Sequence, residues 1–121
     1  MKNEKLSIIE DLAEPETSET ALHYPCSDDL CSRVCNETGL QNQVQICSDG
    51  AGGAIIVWKD ERAGSTSDDI YAQRFAANGS TMWNDNGVLI CNASNAQGVP
   101  KLCSDGAGGA IITWEDYRSG T

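Results

Sequence analysis

The feature that most constrains this chain is that it repeats itself. The ten residues Cys47-Ser48-Asp49-Gly50-Ala51-Gly52-Gly53-Ala54-Ile55-Ile56 return unchanged as Cys103 to Ile112, at an offset of 56. The same offset pairs Trp58 with Trp114, Asp60 with Asp116, Arg62 with Arg118 and Gly64 with Gly120. Upstream it pairs Cys35-Asn36 with Cys91-Asn92, and Gln41 with Gln97. Across residues 34–65 and 90–121, 17 of 32 positions are identical, so two copies of one structural unit are present. This divides the chain into an N-terminal segment over 1–33, a first repeat over 34–89 and a truncated second repeat over 90–121.

Within one unit the pattern reads as all β. Val44 to Ser48 is a short strand, and Asp49-Gly50-Ala51-Gly52-Gly53 is a Gly-rich turn that closes a hairpin. Ala54-Ile55-Ile56-Val57-Trp58 is a β-prone run expected to be buried on both faces. After a polar loop from Ala63 to Asp69, Ile70 to Phe75 forms a third strand, and Asn78-Gly79 a tight turn. Thr81-Met82-Trp83 and Gly87 to Cys91 supply the fourth, interrupted by Asn84-Asp85-Asn86. Four short antiparallel strands per unit of this length is the mark of a propeller blade. A sandwich of hairpins also suits short strands with frequent turns, but repetition favours blades. The expected fold is therefore all-β: about one and a half four-stranded propeller-like blades behind a mostly disordered N-terminal segment.

The motif Ser-Asp-Gly-x-Gly-Gly-Ala-Ile-Ile-x-Trp-x-Asp-x-Arg stands at Ser48–Arg62. Asp-Ile-Tyr-Ala-Gln-Arg follows at Asp69–Arg74, then Trp83 and Asn86–Val88. Together they resemble a tandem repeat of large secreted bacterial proteins that are propeller-like and mostly without an assigned activity. The resemblance covers about residues 34–121. It implies an extracellular or cell-surface location, and no substrate.

Charge sharpens the division. The chain has 18 acidic residues against 8 basic, a net charge of −10, and residues 1–30 alone contribute −6 of it. Low hydrophobicity with high net charge, together with Pro15 and Pro25, marks that stretch as unable to offset its ordering entropy. One exception is Ser7-Ile8-Ile9-Glu10, a capping box that opens a short helical turn ended by Pro15. The apolar stretch Leu6–Leu12 is broken by Ser7, Glu10 and Asp11, so no signal peptide is visible. A balance this acidic argues against binding nucleic acid through its phosphates, and no apolar run is long enough to span a membrane.

The candidate site residues are the repeated trio Trp58, Asp60 and Arg62 with Trp114, Asp116 and Arg118. Alternation places each trio on one strand face. It reads either as a carbohydrate subsite or as a structural Asp–Arg pair beside a packing Trp. The structural reading is preferred, because a packing device recurs in every repeat whereas a catalytic site rarely does. Asp49 and Asp105 sit in Asp-Gly turns that an Asp side chain can cap. Neither they nor Asp68-Asp69 and Asn84-Asp85-Asn86 have the ligand spacing of a calcium loop.

Cys35 and Cys47 are twelve residues apart, as are Cys91 and Cys103. In an oxidising compartment these are two expected disulfides, each worth ~3 kcal/mol on the entropic account. In a reducing one they are small buried apolar residues. Cys26 and Cys31 could form a third pair, and the irregular spacing of Cys26, Cys31 and Cys35 with the sole histidine, His23, makes a poor zinc site. Asn36-Glu37-Thr38, Asn78-Gly79-Ser80 and Asn92-Ala93-Ser94 fit the glycosylation sequon. One histidine, no nucleophile elbow and no phosphate loop leave few ways to build a nucleophile–base pair, so no catalytic residue, metal or cofactor is expected.

The function these features suggest is a non-catalytic scaffold or binding module. Its partners would be further blades, from copies of itself or from another chain, through the edge at Ile111–Trp114, with a glycan or surface protein as ligand. The alternative is part of a glycan-acting enzyme whose site forms between assembled blades, and a third reading is a truncated reading frame.

Overall fold

Glycine-rich turns and β-branched runs alternate along the chain, and the chain pairs accordingly. A computed structural model describes residues 33–120. The segment read as disorder or a helical turn, apart from Arg33, lies outside these residues, as do His23, Cys26 and Cys31. The described residues contain six strands and no helix. Strands β1 (Gln41–Ser48), β2 (Ala54–Asp60), β3 (Asp69–Phe75) and β4 (Val88–Cys91) form an antiparallel four-stranded sheet in sequential order. Strands β5 (Gln97–Ser104) and β6 (Ala110–Asp116) form a separate two-stranded sheet, equivalent in the second repeat to β1 and β2. The two sheets do not close on one another into a barrel or ring.

Register repeats with the sequence. In the first hairpin Gln41 lies opposite Asp60 and Cys47 opposite Ile55; in the second, Gln97 lies opposite Asp116 and Cys103 opposite Ile111. Both carry an irregularity at the same place, Asn42/Gln45 and Gly98/Lys101. β1 begins three residues earlier than Val44 because Gln41 and Asn42 continue the ladder before the irregularity. The Thr81–Trp83 piece of the expected fourth strand is reduced to a single bridge, Thr81 to Phe75. Gln73, fully buried, holds that segment instead: its Nε2 donates to the Asn84 carbonyl at 2.7 Å, and its Oε1 accepts from the Trp83 N–H at 3.0 Å.

β2 runs through the centre and is covered on both faces, as its continuous apolar run requires. One face, Ile56 and Trp58, packs with Val34, Cys35 and Phe75, with Tyr71 alongside. On the other, Val57 packs with Ile70, Ala72 and Cys91 against Ile112 and Trp114 of β6. The second hairpin thus lies on the first sheet, with β5 against β1. The chain just before each hairpin, Val34-Cys35 or Ile90-Cys91, joins the cluster containing that repeat's tryptophan.

Candidate functional site

Alternation along β2 sends Trp58 and Asp60 to the same face, and the turn after β2 folds Arg62 back over them. Asp60 Oδ2 accepts from Trp58 Nε1 at 2.7 Å and from Arg62 Nη2 at 2.7 Å, while Oδ1 accepts from Arg62 Nε and from its backbone N–H, both at 2.9 Å. The carboxylate therefore receives a bidentate guanidinium, an indole and a backbone amide while its residue is fully buried. Burial works against its ionisation, but the bonds from Arg62 and Trp58 outweigh burial and hold the group below the ordinary carboxylate range.

Cys35 completes the cluster. Its Sγ accepts from Arg62 Nη2 at 3.3 Å and lies 3.9 Å from Asp60 Oδ2. Burial pushes its thiol up from the ordinary range. Arg62 Nη2 also donates to the Asn86 carbonyl at 2.8 Å, and its guanidinium stacks 3.7 Å above the Tyr71 ring. The tryptophan ring fits against Gly87, where a Cβ would stand 2.5 Å from the indole. A side chain at position 87 would displace Trp58.

The second copy is built alike. Asp116 Oδ2 accepts from Trp114 Nε1 at 3.2 Å and from Arg118 Nε at 2.9 Å, and pairs closely with Arg118 Nη2. Oδ1 accepts from the Arg118 N–H at 3.0 Å. Cys91 Sγ lies 4.0 Å from Asp116 Oδ2 and 3.7 Å from Arg118 Nη2. The Arg118 bonds hold Asp116 well below the ordinary range. Both trios named from the sequence are thus brought together, each with a cysteine from the strand or segment before its hairpin. The indole of Trp58 has no exposed face.

The expected disulfides are not formed: no bond joins Cys35 to Cys47 or Cys91 to Cys103. Register explains why. Cys35 sits beside Asp60 at one end of β2, whereas Cys47 pairs with Ile55 five residues away. Five strand residues span about 16 Å, far beyond the roughly 7 Å between Cα atoms that a disulfide can bridge. The second repeat has the same geometry.

Both turn carboxylates are engaged by the chain itself. Asp49 Oδ1 accepts from the N–H groups of Ala51 and Gly53, each at 2.8 Å, and Oδ2 accepts from Arg74 Nε at 3.0 Å. Asp105 Oδ1 accepts from Ala107 and Gly109 at 2.7 and 2.9 Å. The backbone bond from Ala51 or Ala107 is the leading cause that lowers each carboxyl. The described residues contain no group of three or more acidic, histidine or cysteine side chains able to hold a metal ion.

Two devices escaped the sequence reading although their signals were present. Gln41 and Gln97, both buried, turn Nε2 onto the carbonyls of Gly39 and Thr38 (3.1 and 3.2 Å) and of Asn95 and Ala93 (3.0 and 3.1 Å). Each thereby fastens the loop that delivers its cysteine; the recurrence of Gln at the 56-residue offset was the available clue. Tyr71 and Gly87 have no second copy within the described residues, so repetition could not single them out. No protein-family model matches the chain, and no curated protein or solved structure matches it.

Proposed function

We propose that this chain is a non-catalytic repeat module of the propeller-blade type, serving as scaffold or binding surface within a larger array of like units. The observation that carries this reading is the twice-built cluster of Cys, Trp, Asp and Arg where each hairpin meets the segment before it. Its polar atoms bond mainly to one another, and in the first repeat the carboxylate and the indole are wholly buried. A reactive carboxylate needs access to substrate and a proton to move; Asp60 is held as an ion against its arginine. The cluster is a lock between each hairpin and the segment before it, not a place for chemistry. Trp58, Asp60, Arg62 and their equivalents are structural in this reading, and an extracellular or cell-surface setting follows from the repeat's resemblance.

Array-forming capacity resides on β6. Its Ile111, Thr113 and Glu115 face is exposed, whereas the equivalent face of β2 is covered by the next hairpin. The test is a glycan-turnover screen of the purified chain alongside Asp60→Asn. The module reading expects no turnover from either protein. Turnover that disappears in a folded Asp60→Asn variant contradicts it and establishes the glycan-acting alternative.

A further inference from the structure

β2 and β6 hold the same position in the two repeats, but their edges differ. β2 is flanked by β1 and β3, whereas β6 pairs with β5 and with no other described strand. An unpaired strand edge presents a row of N–H and C=O groups to any extended chain that reaches it. The first repeat shows which side chains such a strand brings. In register, β3 sets Tyr71 opposite Trp58 and Arg74 opposite Ile55. The Arg62 guanidinium lies 3.7 Å from the centre of the Tyr71 ring, and Arg74 Nε donates to Asp49 Oδ2 at 3.0 Å. Both receivers recur in the second repeat and stand open. Arg118 is exposed, and the hydrogen bonds to the Asp105 carboxylate among the described residues all come from backbone N–H groups. One position breaks the likeness. Lys59 stands opposite Ile70, and its ammonium lies 2.9 Å from Asp68, just before β3, and 3.4 Å from Glu61. The second repeat has Glu115 in place of Lys59 and Tyr117 in place of Glu61, and the Tyr117 hydroxyl donates to Glu115 Oε2 at 2.8 Å. The charge on this exposed part of the edge is therefore inverted.

Resting on the repeat-array reading, we propose that the free edge of β6 takes an antiparallel strand of the β3 pattern from another repeat unit. That strand carries tyrosine and arginine where β3 has Tyr71 and Arg74, and a basic residue where this chain has Asp68. The incoming tyrosine stacks on Arg118, as Tyr71 does on Arg62. The arginine pairs with Asp105, as Arg74 does with Asp49. The basic residue pairs with Glu115. Like charges set side by side across strands are destabilising, so Glu115 selects against a β3 strand from an identical copy, which brings Asp68 to the same place.

The test adds to the full chain two labelled synthetic peptides copying residues 66–90, one with the native sequence and one carrying Asp68→Lys. Fluorescence anisotropy reads their binding, and hydrogen exchange of the chain locates it. The expected result is slowed exchange over Ala110–Asp116, with the Asp68→Lys peptide bound about two- to fivefold more tightly than the native one. The order reverses in a chain carrying Glu115→Lys, a change at an exposed position. Tyr71→Ala or Arg74→Ala in the peptide weakens binding. Equal binding of the two peptides, or preference for the native one, overturns the proposal and leaves the array reading standing. No protection of β6 by either peptide overturns both. Protection of β6 without peptide that grows with chain concentration makes a second copy the occupant and likewise overturns the proposal.

Discussion

Ile55 and Ile111 occupy the same place in two copies of one sequence, yet the first is wholly buried and the second 58% exposed. The contrast extends along both strands. Every residue of β2 except Lys59 is buried, whereas β6 alternates between half-buried and exposed. The Arg62 side chain is 17% exposed and that of Arg118 56%. The contacts among Cys, Trp, Asp and Arg recur in both, while Arg62 alone adds the Asn86 carbonyl and the Tyr71 ring, so local sequence sets the lock, and neighbouring layers set how deeply it is buried. The two positions at which β2 and β6 differ, Val57/Thr113 and Lys59/Glu115, both lie on the face uncovered in β6. The core-facing positions Ile112, Trp114 and Asp116 are unchanged from the first copy. A repeat protein distributes its stability over units and the interfaces between them, and here the same face is covered in β2 and exposed in β6.

That contrast can be broken by paired substitutions. Trp58→Ala removes a buried indole that fills the space between Gly87 and Tyr71 and is expected to cost about 3–5 kcal/mol in urea unfolding. Trp114→Ala, in a half-buried site, is expected to cost clearly less. Equal losses would mean that coverage does not govern the lock. Asp60→Ala leaves Arg62 and the Trp58 Nε1 without their acceptor, and the expected loss is about 3 kcal/mol at neutral pH; Asp116→Ala, with its arginine in solvent, follows with a smaller one. Because the folded-state pKa of Asp60 is depressed, its contribution is present above the unfolded carboxylate value of about 3.9 and fades as pH falls through the folded one. The gap between wild type and Asp60→Ala should therefore narrow in acid.

Asp69 gives the opposite sign. It lies opposite Asp60 across β2 and β3, and burial, with Asp60 and Asp68 adding to it, raises its carboxyl. Ionising it costs the folded state stability as pH climbs from the unfolded value of about 3.9 through the folded pKa. Asp69→Asn should then raise stability at neutral pH, an advantage that vanishes below the unfolded value. A thermal-melt series over pH reads both signs. Loss of stability at neutral pH in Asp69→Asn would show that its carboxylate is paired after all.

Much of this was legible in the sequence, for identifiable reasons. The Gly-rich turns and the run Ala54–Trp58 fixed the central hairpin, because period, turn chemistry and β-branching agreed there. The trio was legible because repetition marked it. The cysteine pairing was not: a spacing of twelve residues counts chain length, whereas bond geometry depends on register, and the two thiols of each repeat stand at opposite strand ends. The irregularity at Asn42/Gln45 was equally hidden, since Gln43-Val44-Gln45 reads as unbroken alternation. Gln73 escaped because a buried amide that holds a loop looks, in sequence, like any polar strand residue.

The central claim is that the two repeats are one unit and differ only in what covers them. The most direct measurement is the unfolding cost of Ile111→Ala in two backgrounds: the chain itself, and the chain extended past Thr121 by a copy of residues 66–121, which supplies a layer over the exposed face of β6. In the chain itself the cost should stay within about 0.5 kcal/mol, as for exposed residues generally. In the extended chain it should rise to match Ile55→Ala, about 2–4 kcal/mol. An Ile111→Ala cost that stays small in the extended chain, with Ile55→Ala still large, would contradict the account.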